Sequence, residues 1–232
     1  MQNPWFPDLA TDERAPDAWL GGELTLSWVL AAYPRGFFPW PVEGEPLAWW
    51  CPRLRMVFEP GGLHVSRSLG RTLRRGRFQV RFDRGFERVV ARCRDKRGPG
   101  RDGTWITPQV VEVYTELHRM GLAHSAEAWR DGEVVGGVYG LSLGGTFFGE
   151  SMFADEKDAS KVALVGLAAQ LDAWGMDMLD CQVPNDHLIS LGGSFVPRRV
   201  FLARLKQSLL RPTRRGPWTF DSALLRARYG AP

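Results

Sequence analysis

Between residues 177 and 195 the chain reads DMLDCQVPNDHLISLGGSF. An apolar run closes on Asp180, Cys181 and Gln182, then meets Asn185, Asp186 and His187. A carboxylate, a thiol and an imidazole this close could serve a metal site, a nucleophile or a proton transfer. Strand alternation sorts them: Met178, Asp180 and Gln182 share one face, Leu179, Cys181 and Val183 the other. Cys181 therefore reads as an inert core thiol. Asp180 and Gln182, about 7 Å apart along the strand, are either a functional pair or a buried hydrogen-bonded one. The stretch TFFGESMF (146–153) repeats the pattern, with Phe148, Glu150 and Met152 on one face and Phe147, Gly149, Ser151 and Phe153 on the other. A lone carboxylate between an aromatic ring and a methionine is costly to bury unless it is paired or meets a cationic ligand. If Glu150 shares a face with Asp180, the two make an acidic, aromatic-lined cleft for an amine-bearing substrate.

Other chemistries fit less well. His64, His118, His124 and His187 lie far apart and no Cys/His pair has zinc spacing, so no metal is expected. No base is evident to activate a cysteine. A coenzyme A acetyltransferase needs a Gly-rich pyrophosphate loop after its central strands, and SMFADEKDASKV (151–162) is acidic and glycine-free, so no cofactor is expected. Of ten tryptophans, Trp40, Trp49, Trp50 and Trp105 stand beside chain breakers, where they could stack on a base or simply pack.

The elements that position these residues follow from periodicity. GELTLSWVLAAYPRGFFPW starts as a helix over about 24–33 and breaks at Pro34. RFQVRF (77–82) alternates as a strand, and FERVVARCR reads as a helix. The breaker-rich DKRGPGRDG (95–103) suggests a boundary at 98/99, between a small basic α/β domain (1–98) and a catalytic domain (99–232). TPQVVEVYTELHRMG is a helix with Thr107 as N-cap, Pro108 in its first turn and Gly121 past its end. Asp131-Gly132 predicts a type I′ hairpin, and a second turn near Gly144-Gly145 completes a three-strand meander. DASKVALVGLAAQLDAWG is a helix capped by Asp158, stopped by Gly175, with Leu164, Leu167, Ala168, Leu171 and Trp174 on its buried face. Its crossover makes the next strand, MLDCQV, parallel or mixed. The predicted fold is α+β, a mixed, mostly antiparallel sheet with packed helices, similar to the acetyltransferase-like (GNAT) layout.

Composition sets the partners. With 44% hydrophobic and 24% charged residues among 232, the chain is a folded protein with a sizeable core. It has no apolar run of membrane-spanning length, no signal-peptide pattern and an odd three cysteines, which together predict a cytoplasmic protein. Residues 53–101 hold 15 Arg/Lys against 4 Asp/Glu, residues 102–195 hold 4 against 14, and residues 196–232 hold 9 against 1. Basic segments rich in arginine, flanking an acidic centre, point to a polyanion.

Taken together, YPRGFFPW (33–40), WWCPRLR (49–55), TWIT (104–107), GLAHSAEAW (121–129), VGGVYG (135–140), GESMF (149–153), ASKVAL (159–164), LDCQVPNDHLISLGG (179–193) and PRRVFL (197–202) resemble the leucyl/phenylalanyl-tRNA–protein transferase family. They run in order over nearly the whole chain; Phe37 stands where that family usually carries isoleucine. The resemblance implies transfer of Leu or Phe (Met less well) from a charged tRNA to proteins beginning with Arg or Lys, marking them for N-end rule degradation. It implies an apolar aminoacyl pocket near Met152 and Phe153 with Glu150 nearby. The tRNA 3′ adenosine would lie near Trp40 and Trp105, with Tyr33 and Tyr114 close, and Asp180, Gln182 and Asn185 at the reacting centre. The expected catalytic hydrogen bond runs from the attacking amine to Asp180, oriented by Gln182. Arg71, Arg74, Arg75 and Arg77 would then meet tRNA phosphates. Rival readings are an aminoacyl-tRNA-dependent ligase acting on cell-wall peptides and a non-catalytic RNA-binding module. A monomer is expected.

Overall fold

Apolar alternation along the chain builds two sheets, one small and one large, in a computed structural model that describes residues 3–9, 15–95 and 104–232. β1 (Ala18–Leu20) is followed by α1 (Leu26–Ala32), whose end tightens into a 3₁₀ turn over Tyr33–Arg35 where Pro34 breaks it. β2 (Phe38–Trp40) and β3 (Ala48–Trp50) complete an antiparallel sheet in the order β1-β3-β2. Then come β4 (Leu54–Phe58), α2 (Arg67–Arg74), β5 (Gln79–Phe82), α3 (Phe86–Asp95) and α4 (Pro108–Arg119). The meander is β6 (Ala123–Arg130), β7 (Glu133–Leu143) and β8 (Thr146–Ala154). The chain continues through α5 (Ala159–Ala173), β9 (Met178–Gln182), α6 (Asp186–Ser190), β10 (Ser194–Pro197), α7 (Arg198–Ser208) and α8 (Ala223–Tyr229).

The large sheet runs β10-β4-β9-β8-β7-β6-β5, antiparallel throughout except for the parallel pair β8–β9 that α5 connects. The architecture is thus α+β with a mixed, mostly antiparallel sheet and eight α-helices among the described residues. The 98/99 boundary lies outside the described residues. Strands from both sides of it share one sheet, since β4 pairs with β9 and β5 with β6.

Each face of the large sheet carries its own core. Tyr33, Tyr114, Tyr139, Phe148, Phe153 and Phe201 belong to one; Phe58, Phe82, Val138, Phe147, Leu179 and Trp218 belong to the other. Burying a side chain of this size contributes roughly 1.5–3 kcal/mol, so the paired Phe147 and Phe148, both fully buried, pin the register of β8 from both sides. Thr107 accepts from the Val110 amide and caps α4 as expected. Two expectations for α5 change. Asp158 makes no capping bond and instead accepts from the Thr72 hydroxyl, tying α5 to α2. The helix also lacks a single buried face: Val162 through Leu171 are all buried, because α2 and α8 cover the side turned away from the sheet.

Candidate active site

The parallel strands part after three residue pairs. Thr146, Phe147 and Phe148 of β8 lie opposite Met178, Leu179 and Asp180 of β9. Beyond them β8 bulges: Tyr139 faces Ser151 but Gly140 faces Gly149, leaving Glu150 as the extra residue. A Cβ on Gly140 would lie 2.0 Å from the Phe148 carbonyl oxygen, so only glycine lets β7 approach the bulge this closely. β9 keeps its pairing with β4 to its last residue, Gln182, which stands at φ +62°, a left-handed conformation that L-residues resist. A cavity of about 260 Å³ opens between the strands. Trp40 and Trp105 border it on one side, stacked on each other at 5.6 Å. Val138, Met152, Leu164 and Leu179 form its apolar end, and Glu150, Gln182, Asn185 and His187 supply its polar groups.

The bulge corrects the expected alternation along β8. Phe148 and Phe153 reach the same core, five residues apart, while Met152 packs into the opposite one beside Phe147. Glu150 and Met152 therefore meet at the cavity from different faces, and Phe153 is fully buried away from the lining.

Glu150 is 9% exposed. Its Oε1 accepts from the Tyr33 hydroxyl at 2.7 Å and the Gln182 side-chain amide at 3.0 Å, and Tyr33 is in turn hydrogen-bonded to the Tyr114 hydroxyl. Oε2 has no hydrogen-bond partner among the described residues. Burial pushes the carboxyl up to about 7, against the hydroxyls of Tyr33 and Tyr114 and the Gln182 amide, which favour its ionised form. Burial and the nearby Glu150 charge hold both tyrosines well above their usual range, so they remain donors.

Asp180 stands one layer behind. It is fully buried and does not line the cavity. Both oxygens accept from Arg55, from Nε at 2.8 Å and Nη2 at 2.7 Å, and Oδ1 also takes the Gln182 backbone N–H at 2.9 Å. Asn185 lines the cavity while its side chain caps α6 through the Leu188 amide. Cys181, expected in the core, is half-buried on the cavity lining, and burial pushes its thiol far up, keeping it protonated.

The arginines divide into two groups. Arg71 and Arg74 line a surface hollow with Arg67 and Tyr229, and Arg75 is exposed beside them. None of these four arginines has an ion pair among the described residues. Arg77, by contrast, is paired with Glu156 at 2.7 Å, and Arg88 and Arg92 are paired with Glu133 and Asp155.

Sequence comparison connects these features. A sequence model described as leucyl/phenylalanyl-tRNA protein transferase matches residues 57–206, and one described as its N-terminal domain matches residues 22–53. The chain is 52% identical to the leucyl/phenylalanyl-tRNA–protein transferase of Anaeromyxobacter sp. (strain Fw109-5), over 94% of this chain and 92% of that protein. It is 48% identical to the Myxococcus xanthus (strain DK1622) protein of the same name, over 94% and 93% of the two chains. This chain belongs to the leucyl/phenylalanyl-tRNA protein transferase family. That is a family of aminoacyltransferases; the first matched segment ends at residue 53, just before β4, and the second begins at residue 57, within it, where the small sheet gives way to the large one.

Sequence reasoning passed over several residues of this transferase fold. Arg55 is a lone charge in the strand LRMVF, a sign of an inward-pointing ion that awaited only a partner. The apolar end of the cavity gave no sign, since Val138, Leu164 and Leu179 look like any core positions. Asp83, His118 and His124, distant in sequence, bring possible ligand atoms within 4.8 Å of one another. Their bonds are internal: Asp83 accepts from His124, the Ser125 amide and the Trp218 amide, while His118 pairs with the Ala123 carbonyl. A larger cavity of about 700 Å³, between β5 and the C-terminal segment, has no side-chain carboxylate, histidine or cysteine in its lining.

No described helix is long and apolar enough to cross a membrane.

Proposed function

We propose that this chain transfers Leu or Phe, and Met less well, from aminoacyl-tRNA to the N-terminus of proteins beginning with Arg or Lys, marking them for N-end rule degradation. The observation that carries this reading is the cavity between β8 and β9, apolar at one end, polar at Glu150 and Gln182, and bordered by Trp40 and Trp105. A Leu or Phe side chain fits the apolar end near Met152. The α-ammonium, carried on the Cα that bears this side chain, then meets the Glu150 carboxylate, whose buried Oε2 has no hydrogen-bond partner among the described residues, and the 3′ adenosine lies toward the two tryptophans. Tyr33 and Tyr114 brace Glu150, and Phe153 supports the bulge from the core. The acetyltransferase-like reading of the fold is supported by the parting of the parallel strands after a short pairing.

The chemistry requires little beyond positioning. The acceptor's α-amine attacks the ester carbonyl, a C–N bond forms, the bond to the ribose 3′-oxygen breaks, and the proton leaving nitrogen ends on that oxygen. An α-amine with a pKa of about 7.7–8.0 is roughly a tenth neutral at pH 7, so no strong base is needed. The ester is already activated, so neither ATP nor a metal is required. Gln182 and Asn185 orient the reacting groups, and Asp180, with its oxygens held by Arg55, acts through Gln182 as a positioning residue rather than as a free base.

tRNA phosphates meet Arg71, Arg74 and Arg75, with Arg77 contributing less because Glu156 competes for it. The protein acts in the cytoplasm as a monomer.

The test is to mix the protein with tRNA carrying labelled Leu or Phe and a peptide with N-terminal Arg, without ATP or coenzyme A. Label on the peptide is the expected result. Binding of tRNA without transfer would reduce the chain to an RNA-binding module, and transfer only to a cell-wall peptide would move it to the other class of ligase.

A further inference from the structure

We propose that Arg55 is a positioning residue for the transfer reaction: through Asp180 it holds Gln182 in the conformation that presents its side-chain amide to Glu150 on the cavity wall. This inference rests on the function proposed above.

Arg55 is fully buried, with its guanidinium carbon 4.7 Å from the Phe38 ring centroid and 4.5 Å from that of Phe201. Its Nη1 has no hydrogen-bond partner among the described residues. A buried pair with a donor left over is a poor device for stability, because well-packed apolar residues in its place are often neutral or stabilising. Its other consequence is local. Asp180 Oδ1 bonds the Gln182 backbone N–H, and Gln182 is left-handed at φ +62°. The pairing of β4 with β9 slips between Met56 and Val57, opposite this point. Strained backbone persists only where its surroundings over-determine it, and the Arg55–Asp180 fork supplies that determination. The outcome is the 3.0 Å bond from the Gln182 amide to Glu150 Oε1. Arg55 thus reaches the cavity through two intermediaries without touching it. A lysine cannot reproduce this, because it lacks the planar fork that grips both oxygens.

The decisive variant is the double substitution Arg55→Met with Asp180→Leu, which removes the charges together and leaves none uncompensated; Arg55→Lys is the conservative companion. Both are measured for kcat, for KM toward aminoacyl-tRNA, and for the NMR titration of the Glu150 carboxyl. Positioning predicts that the double variant folds with wild-type stability or better and keeps its KM within about two-fold. Its kcat falls at least ten-fold, and Arg55→Lys falls between. The Glu150 titration moves to higher pH once the Gln182 amide no longer favours the carboxylate. A double variant with wild-type kcat and an unmoved Glu150 titration would overturn the inference. Should the wild-type protein itself fail to transfer, the proposed function falls. The Glu150 titration then decides for Arg55 alone, a shift supporting positioning and no shift refuting it.

Discussion

Glu127 and Glu150 are both buried carboxylates on the same sheet, and burial raises the pKa of each. Their hydrogen bonds separate them. Glu127, on β6, accepts from the Ser125 hydroxyl, the Arg84 and Gly85 amides and the Trp129 indole, so both oxygens are occupied. Glu150 sits at a bulge beside a cavity and has two donors on one oxygen and none on the other. A satisfied buried carboxylate holds loops together; one with an oxygen to spare at a cavity is available to a ligand. Burial alone would have ranked Glu127 first.

The strongest break in this comparison is Glu150→Gln. Losing the charge partner of the donor's ammonium should lower kcat/KM by about 10³-fold, or about 4 kcal/mol, while the protein stays folded. A wild-type kcat/KM would make Glu150 as structural as Glu127. The next effect is on stability against pH. A carboxyl whose folded pKa is raised binds its proton more tightly in the folded state. Its stabilising contribution is therefore full below the unfolded value of 4.5 and is lost as pH rises to about 7. The loss across that window is about 3 kcal/mol at most, and urea unfolding from pH 4.5 to 8 should show it shrink in Glu150→Gln. An identical profile in both proteins would contradict the assignment.

Smaller still, Glu127→Gln should cost about 2 kcal/mol of stability by disturbing four donors, with kcat/KM of the folded protein within two-fold of wild type. A large loss of turnover at unchanged stability would reverse the two roles. Last come the arginines. Replacing Arg71, Arg74 and Arg75 together by Gln should reduce the slope of log affinity for tRNA against log salt by about 3. Replacing Arg77 alone should change it by less than replacing Arg71 alone, because Arg77 is paired with Glu156, which it shares with Arg130. Equal slopes for Arg71→Gln and Arg77→Gln would remove that distinction.

The order of elements was largely legible, because capping residues, turn glycines and alternation are local signals: Thr107, Asp131-Gly132 and the crossover into β9 behaved as their chemistry predicts. The bulge at Glu150 was not legible. It depends on Gly140 of a neighbouring strand, and it reverses the face of every residue after it on β8. The partner of Asp180 was hidden for the same reason, since Arg55 lies 125 residues earlier and meets it only when β4 inserts beside β9. Sequence likewise grouped Arg77 with Arg71, Arg74 and Arg75, because the acid that pairs with it, Glu156, comes from just past the end of β8. Local patterning gave the site's ingredients, and long-range pairing decided which of them face the cavity.

The most direct test of the central claim is calorimetric binding of a 3′-amide-linked phenylalanyl-adenosine and its counterpart lacking the α-amino group. Wild type and Glu127→Gln should lose at least about ten-fold in affinity when the amino group is absent, and Glu150→Gln should bind the two compounds alike. If Glu150→Gln still discriminated between them as wild type does, the Glu150 carboxylate would not be the group that receives the aminoacyl ammonium.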